Sequence, residues 1–318
     1  MRTYPNEVNG VVSLPSAAVC KAFGRMGITL MVRKSWQPNP RAQRHRHKRP
    51  ATPHTRLRTA HAPYGLALLY GWHTVKAALE NPARRIRHLL ATENALRRLA
   101  GKGVLLPVKP ELVLPGVIDA RLGPDAVHQG LLAEADPLPA PSINELAPEG
   151  IILILDQITD PHNVGAILRS AAAFAVKAIV TTARHSPEAT GVLAKSASGA
   201  LELVPLVLVQ NLARGMEDLR QRGFLLVGLD SKGDSDLADL ALRAPIAFAL
   251  GAEGKGLRQL TRSTCDHLAR IDLPGEIKSL NVSNAAVLGL YVASRHLRDA
   301  LARKTASAIA PQAREPAV

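Results

Sequence analysis

The sequence predicts an α/β protein in which a small α/β domain precedes a larger domain built on a mostly parallel sheet. From residue 150 onward, short apolar runs alternate with helical patterns, which is typical of parallel strands covered by helices on both faces. Residues 136–148 (DPLPAPSINELAP) hold four prolines and have the composition of a linker between domains. Residues 33–63 are rich in Arg, His and Pro and have no apolar periodicity, so we expect disorder there.

Composition excludes several classes of protein. With 318 residues, of which 47% are hydrophobic, the chain is long enough for two domains that each bury a core. No apolar run reaches the eighteen residues of a membrane-spanning helix. Two cysteines, Cys20 and Cys265, exclude a disulfide-rich scaffold and a four-cysteine zinc site, and we expect Cys265 to be a buried, small apolar residue. An aromatic content of 3% argues against an RNA site built from stacked aromatic rings.

The positive charge is concentrated at the amino terminus. Residues 1–61 contain twelve Lys and Arg residues against one acid, Glu7, and so carry +11 of the net charge of +14. A basic, disordered arm over 1–63 is typical of a protein that binds a polyanion, with nucleic acid favoured over a membrane. The same composition fits a solvated tail or, being Arg-rich and poor in acids, an organellar transit peptide. A start of translation at Met26 or Met31 is a further alternative.

The small domain is predicted over 64–135. Apolar patterns predict a helix, a strand, a second helix and a second strand at 71–80, 86–91, 92–100 and 127–133. Thr92 is the predicted N-cap of the second helix, and Gly101 ends it. Arginines are frequent in this domain and fit phosphate contacts to a nucleic acid, with solvated charges as an equal alternative. These residues are Arg84, Arg85, Arg87, Arg97 and Arg98.

The large domain is predicted over 149–303, followed by a disordered tail at 304–318. Its apolar strands are predicted at 151–155, 178–181, 206–209, 224–228, 246–250 and 268–271. Its helices are predicted at 164–175, 187–197, 212–222 and 283–302. Because parallel strands point the same way, the loops after them meet at one edge of the sheet, where α/β proteins bind their ligands.

The loop after the first of these strands has the features of an anion site. The sequence from 155 to 169 reads LDQITDPHNVGAILR, in which a polar loop with Pro161 leads into a helix that begins near Asn163. Arg169 lies off the apolar stripe of this helix. Because helix side chains lean toward the amino end, Arg169 can reach back toward backbone N–H groups that favour a phosphate. For Arg169 taken alone, an ordinary surface arginine is the simpler interpretation.

Two further loops carry residue types that functional sites use. The strand at 246–250 runs into GAEGKGL, whose three glycines let the backbone approach a ligand closely, with an acid, Glu253, between them. This G-x-x-G-x-G spacing is neither the dinucleotide fingerprint nor a phosphate-binding P-loop. The strand at 268–271 is followed by DLPGEIKSLNVSN, in which two serines and two asparagines crowd the entry to the last helix. A helix needs only one such residue as its cap.

Together, in this order and spacing, the three loops resemble the three motifs of the SpoU/TrmH family of RNA 2′-O-ribose methyltransferases. The resemblance covers residues 64–302, because the small domain (YGWHTVKAALENP, then AVHQGLLAEADPLP) resembles the RNA-binding domain of the bacterial members that methylate guanosine in 23S rRNA. It implies a SPOUT fold, an α/β fold whose carboxyl-terminal segment forms a trefoil knot. It also implies an L30e-like small domain that holds rRNA. The basic arm is not part of the resemblance.

The resemblance also implies the cofactor, the partners and the site residues. The methyl donor would be S-adenosylmethionine, bound without a metal and mostly by backbone groups of Gly251, Ile271 and Leu280. The reacting and RNA-contacting residues would be Asn163, Arg169, Glu253, Ser279 and Asn281. The family arginine that matches Arg169 is a proposed base. A bidentate clamp on the phosphate and the 2′-oxygen is the alternative, because a guanidinium releases a proton reluctantly.

The leading functional hypothesis is transfer of a methyl group from S-adenosylmethionine to the ribose 2′-hydroxyl of a guanosine in 23S rRNA. The resemblance further implies a homodimer with the last helix at its interface, in the cytoplasm and without membrane contact. The same reaction on tRNA or organellar rRNA is the first alternative, and a non-catalytic RNA-binding factor for ribosome assembly is the second. A dehydrogenase is disfavoured because no glycine fingerprint follows the first strand.

Overall fold

The structure is a computed structural model that describes residues 65–123, 125–184 and 191–309. The predicted arm at 1–63 and the end of the predicted tail, from residue 310, lie outside these ranges. The described part contains one four-stranded and one seven-stranded sheet. Both predicted α/β units are therefore present.

The small domain is built on the four-stranded sheet. Its elements are β1 (Ala67–Tyr70), α1 (Trp72–Glu80), β2 (Ile86–Ala91), α2 (Glu93–Ala100), β3 (Glu111–Leu112), α3 (Pro115–Leu122) and β4 (Leu131–Ala135). The strand order is β1-β4-β2-β3, with β4 antiparallel to both neighbours. Thr92 caps α2 by accepting a hydrogen bond from the Ala95 N–H, as the sequence predicts. The predicted strand at 127–133 begins only at Leu131, because Gln129 and Gly130 adopt positive φ and form a turn.

The large domain is built on the seven-stranded sheet. Its elements are β5 (Ile151–Asp156), α4 (Pro161–Ala173), β6 (Ala178–Thr182), α5 (Gly191–Ala197), β7 (Leu206–Val209), α6 (Leu212–Gln221), β8 (Leu225–Leu229), β9 (Ser235–Asp236), β10 (Ile246–Gly251), α7 (Gln259–Thr264), β11 (His267–Arg270) and α8 (Val282–Ile309). The strand order is β7-β6-β5-β10-β8-β11-β9, and every pairing is parallel. Because β5 and β10 are neighbours, the loops that follow them meet at the carboxyl edge of the sheet.

The helices differ from the predicted ones mainly at their ends. Helix α4 begins at Pro161 because the Asp160 carboxylate accepts a hydrogen bond from the His162 N–H and proline suits the first helical turn. Helix α7 has no counterpart among the predicted elements, because its sequence QLTRST is polar and buries only Thr261. Helix α8 continues seven residues past the predicted end at 302. The predicted helix at 187–197 is described only from Gly191 onward.

The core of the large domain lies on both faces of its central strands. Alternate residues of β5 enter two different clusters: Leu153 packs with α4, α5 and α8, whereas Ile152 packs with α6. This two-sided burial explains the continuous apolar runs of the sequence. Ile143 and Leu146, at the end of the predicted linker, join the cluster of Ile152. Within the described ranges, no helix is both long and apolar enough to cross a membrane.

Candidate active site

A cavity of about 210 Å³ lies at the carboxyl edge of the sheet, between the loops that follow β8, β10 and β11. Gly251, Ile271 and Leu280, the predicted backbone contacts of the methyl donor, all line it. Most of its other walls are aliphatic, and its polar lining includes Glu253 and Ser279. An apolar cavity with a few polar groups suits a small organic ligand.

The loop between Gly251 and Leu257 is folded back tightly on itself. The Gly256 N–H donates a hydrogen bond of 2.8 Å to the Ala252 carbonyl. Gly254 and Gly256 have φ values of +74° and +67°, which side chains rarely allow. A Cβ atom at Gly251 would lie 2.2 Å from the carbonyl carbon of Gly256. These glycines therefore permit the turn that carries Glu253 on the rim of the cavity.

Three polar side chains, one from each motif, meet at that rim. The Asn163 side-chain amide donates to Glu253 Oε1 at 3.2 Å. The Asn281 Nδ2 donates to the same oxygen at 2.5 Å and to Asn163 Oδ1 at 3.0 Å. Within the described residues, Glu253 Oε2 accepts no hydrogen bond. The structure thus brings three of the predicted site residues together through direct hydrogen bonds.

The helices that begin at the site hold two of these side chains in place. Asn281 Oδ1 accepts hydrogen bonds from the N–H of Ser283 at 2.9 Å and from its hydroxyl at 2.6 Å, so Asn281 is a helix cap as well as a member of the cluster. Near Asn163, a Cβ atom at Gly165 would lie 2.4 Å from the Cβ of Ser196. The start of α4 therefore packs closely on α5, and this packing holds Asn163 in position at the rim of the cavity.

Arg169 is not among the residues that line the cavity. It is exposed on α4, six residues after Asn163, which is about 9 Å along the helix axis. With the described residues, its side chain forms no hydrogen bond or ion pair. The catalytic role of Arg169 stays a prediction.

Two acids with buried side chains lie at strand ends near the site, and the sequence analysis assigned no role to them. Asp230, directly after β8, lines the cavity and pairs with Arg262. Asp156, at the end of β5, accepts hydrogen bonds from the backbone N–H of Arg258 at 3.0 Å and from its Nε at 2.6 Å. An acid directly after a buried strand of a parallel sheet was the available signal.

Neither metal nor thiol chemistry has a candidate group in the described part of the chain. No set of three His, Cys, Asp or Glu side chains there is placed to hold a metal ion. Cys265 is partly buried, and burial raises the pKa of its thiol to about 12. A thiol with such a pKa is inert near neutral pH.

A parallel sheet with an apolar cavity and a polar cluster at its carboxyl edge defines the class of α/β enzymes that act with a small organic cosubstrate. Sequence comparison matches residues 150–291 to the SpoU rRNA Methylase family and residues 68–141 to a family described as RNA 2′-O ribose methyltransferase substrate binding. The chain belongs to the SpoU rRNA methylase family.

Two curated relatives have the name 23S rRNA (guanosine-2′-O-)-methyltransferase RlmB. The protein from Pseudomonas aeruginosa is 39% identical over 240 residues, which cover 70% of this chain and 94% of the relative. The protein from Ralstonia nicotianae is 39% identical over 242 residues, covering 72% and 95%. The similarity thus extends over nearly the whole length of both relatives.

Solved structures confirm the fold class. The SpoU methyltransferase AviRb from Streptomyces viridochromogenes has a TM-score of 0.64 at 25% identity, covering 74% of this chain and 91% of that chain. The same enzyme in complex with the cofactor AdoMet has a TM-score of 0.62 at 27% identity, covering 73% and 90%. The described domains therefore have the fold of SpoU methyltransferases.

Proposed function

We propose that this protein transfers a methyl group from S-adenosylmethionine to the ribose 2′-hydroxyl of a guanosine in 23S rRNA. The observation that carries the proposal is the hydrogen-bonded cluster of Asn163, Glu253 and Asn281 on the rim of the apolar cavity. The RlmB relatives support the rRNA substrate, and the AdoMet complex of a SpoU enzyme supports the methyl donor.

The residues of the cavity fit the proposed donor. Its aliphatic walls, among them Leu250 and Ile271, suit an adenine ring, and Gly251 and Leu280 offer backbone groups for polar contacts. When bound, S-adenosylmethionine supplies a methyl group on a positively charged sulfur. The charged groups on the lining are Asp230, Glu253 and Lys278. Because Asp230 is paired with Arg262, the Glu253 carboxylate is the group that favours a positive ligand charge.

The polar cluster would orient the ribose. Glu253 Oε2 is available to accept a hydrogen bond from a ribose hydroxyl, while Asn163 and Asn281 hold the carboxylate from its other oxygen. Such positioning lowers the barrier of a bimolecular step by several kcal/mol, up to about 7–11. Arg169 would take either of its two predicted roles, accepting the hydroxyl proton or clamping the phosphate and the 2′-oxygen. Ser279, on the cavity lining, would contact the RNA.

One experiment tests the proposal and separates its alternatives. The purified protein is incubated with labelled S-adenosylmethionine and either unmodified 23S rRNA or unmodified tRNA, and alkali-resistant 2′-O-methyl positions are mapped. We expect one guanosine of 23S rRNA to be labelled. Labelling of tRNA alone would favour the first alternative. RNA binding without any labelling would favour a non-catalytic assembly factor.

The predicted homodimer is supported by the surface of α8. Val287, Leu288 and Tyr291 expose 37%, 38% and 49% of their area, and their helical spacing places them on neighbouring turns. A second copy of the chain would cover this apolar strip. The trefoil knot, the L30e-like small domain and the cytoplasmic location remain proposals, supported by family membership.

A further inference from the structure

A second cavity of about 270 Å³ lies at the same edge of the sheet, next to the ends of β6 and β7. In the strand order, β6 and β7 lie on one side of β5, whereas β8 and β11, which bound the donor cavity, lie on the other. The second cavity is therefore separated from the first by β5 and by the loop that carries Glu253. Neither the motifs nor the proposed mechanism uses it.

The lining of the second cavity is positively charged. Among the described residues its lining contains two arginines, Arg184 and Arg258, and no carboxylate. Arg184 is exposed and forms no ion pair with any described residue. Two guanidinium groups on one cavity wall favour an anionic ligand.

The buried Asp156 carboxylate holds Arg258 in position. Its backbone N–H and its Nε both bind the Asp156 carboxylate, whose side chain is fully buried. The two terminal nitrogens of Arg258 donate no hydrogen bond within the described residues, and 44% of the side chain is exposed. Asp156 thus fixes the guanidinium plane and leaves its outer edge available to a ligand.

The remaining lining groups indicate which anion fits. Gln210 and Asn211 bring side-chain amides, which can bind the oxygens of a ribose or a phosphate. Leu260 is 61% exposed beside them and offers an apolar contact to a base. Polar, cationic and apolar groups in one cavity match a nucleotide unit better than an isolated inorganic anion.

We propose that this second cavity binds a ribose-phosphate unit of the RNA substrate close to the methylated nucleotide, with Arg184 and Arg258 on the phosphate. The proposal rests on the proposed function, because it assigns a second contact to the same RNA. An RNA strand whose target ribose lies at the Asn163 cluster would cross the end of β5 to reach it.

The test compares arginine variants inside and outside the cavity. Binding of unmodified 23S rRNA transcript to the full chain is measured at several KCl concentrations for wild type, Arg184→Ala and Arg258→Lys. The control, Arg243→Ala, removes an exposed arginine that precedes β10 at the opposite edge of the sheet and contacts the Gly223 carbonyl. KM and kcat for the RNA and the affinity for S-adenosylmethionine are measured in parallel.

We expect Arg184→Ala to weaken RNA binding about fivefold or more and to lower the slope of log affinity against log salt by about 0.7–1. Arg258→Lys keeps the charge but loses the planar fork, so binding should weaken with little change in slope. In both variants KM should rise more than kcat falls, and binding of S-adenosylmethionine should be unchanged. Arg243→Ala should match wild type.

The failures of the two proposals are distinguishable. If the wild type methylates 23S rRNA while Arg184→Ala and Arg258→Lys keep the KM and salt slope of Arg243→Ala, the second cavity is not an RNA contact and the proposed function stands. If the wild type neither binds nor methylates RNA, both proposals fall. In a further titration, guanosine monophosphate is added to the wild-type protein. If its affinity equals that of the RNA, the second cavity binds a free nucleotide and the assignment to an RNA strand is overturned.

Discussion

Arg84 and Glu202 form a buried ion pair that joins the small domain to the large one. The Nε and Nη2 of Arg84 donate to the Glu202 carboxylate at 2.7–3.1 Å, and Asn81 donates to the same group at 2.8 Å. The two charged side chains are only 4% and 3% exposed. Arg84 Nη1 donates to the Asp136 carbonyl at 2.8 Å. Both buried charges are therefore matched by hydrogen-bond partners.

Breaking this pair should destabilise the protein strongly. In Arg84→Met, Glu202 would remain buried without its counter-ion, so we expect the free energy of unfolding to fall by about 3–5 kcal/mol. Urea denaturation followed by circular dichroism measures the change. The double variant Arg84→Met/Glu202→Leu removes both charges and should recover most of the loss.

A surface ion pair provides the matched control. Arg97 pairs with Glu93 at 2.7 Å, but both side chains are about 70% exposed, so Arg97→Met should change the free energy of unfolding by less than about 0.5 kcal/mol. Equal effects of Arg84→Met and Arg97→Met would contradict the assignment of a domain-joining role to the buried pair.

Removing the carboxylate of the polar cluster should impair methyl transfer. Without Glu253, the amides of Asn163 and Asn281 lose their common acceptor, and we expect Glu253→Ala to lower kcat/KM about 100-fold, since small misplacements have effects of this size. Glu253→Gln keeps one acceptor oxygen and should lose less. Initial rates with 23S rRNA provide the measurement. The control is Glu217→Ala, which removes a partly exposed acid of α6 that pairs with Arg220. Unchanged rates in Glu253→Ala would remove this cluster from the mechanism.

Arg169→Ala should abolish turnover while leaving the affinity for S-adenosylmethionine near that of wild type, because Arg169 lies outside the donor cavity. Arg169→Lys should also be poor, since lysine cannot replace the bidentate fork. Methylation rates and calorimetric titration of the cofactor separate the two effects. Full activity in Arg169→Lys would be incompatible with both the base and the clamp role.

A charge on the exposed strip of α8 should dissociate the proposed homodimer. Leu288→Asp would bury an unpaired carboxylate in the interface, and we expect the dimer to weaken roughly 30- to 1000-fold, which corresponds to a loss of about 2–4 kcal/mol. Sedimentation equilibrium measures the mass. Leu105→Asp, in an exposed loop of the small domain, is the control. If wild type and Leu288→Asp have the same mass at every concentration, α8 is not the interface.

The thiol of Cys265 should react slowly with thiol-specific reagents in the native protein. Burial raises its pKa from 9.0 to about 12, so at pH 8 its thiolate fraction is about 1000-fold lower than that of a free cysteine. In a Cys20→Ser variant, we expect native protein to react with a disulfide reagent roughly 1000-fold more slowly than urea-unfolded protein. The rate should rise about tenfold per pH unit. Similar rates in the native and unfolded states would contradict the burial.

The sequence predicts the large domain well because its strands are buried on both faces. A continuous apolar run such as IILIL in β5 is short, rich in β-branched residues and followed by a polar loop, which favours a strand over a buried helix. The short strands β3 and β9 escape prediction because two residues carry no periodicity. Helix α3 also escapes, because it buries only Ile118 and has almost no apolar stripe.

The site is predictable in part, and the limits have physical causes. Each motif marks its own loop, but the hydrogen bonds that join Asn163, Glu253 and Asn281 depend on strand order, which no local pattern contains. Arg84 shows the same limit. An arginine in this domain fits a phosphate contact on sequence grounds. Its actual partner, Glu202, lies 118 residues away, so the burial of Arg84 follows from the packing of the two domains.

The backfolded loop between Gly251 and Leu257 has a consequence for how quickly the enzyme can turn over. Its internal hydrogen bond and the tight contact of Gly251 with Gly256 hold the loop in its backfolded shape through contacts of the chain alone. The conformational entropy lost in ordering this loop is therefore lost when the protein folds, and not each time S-adenosylmethionine binds. Capture of a fresh methyl donor after each cycle then needs no slow rearrangement of this segment.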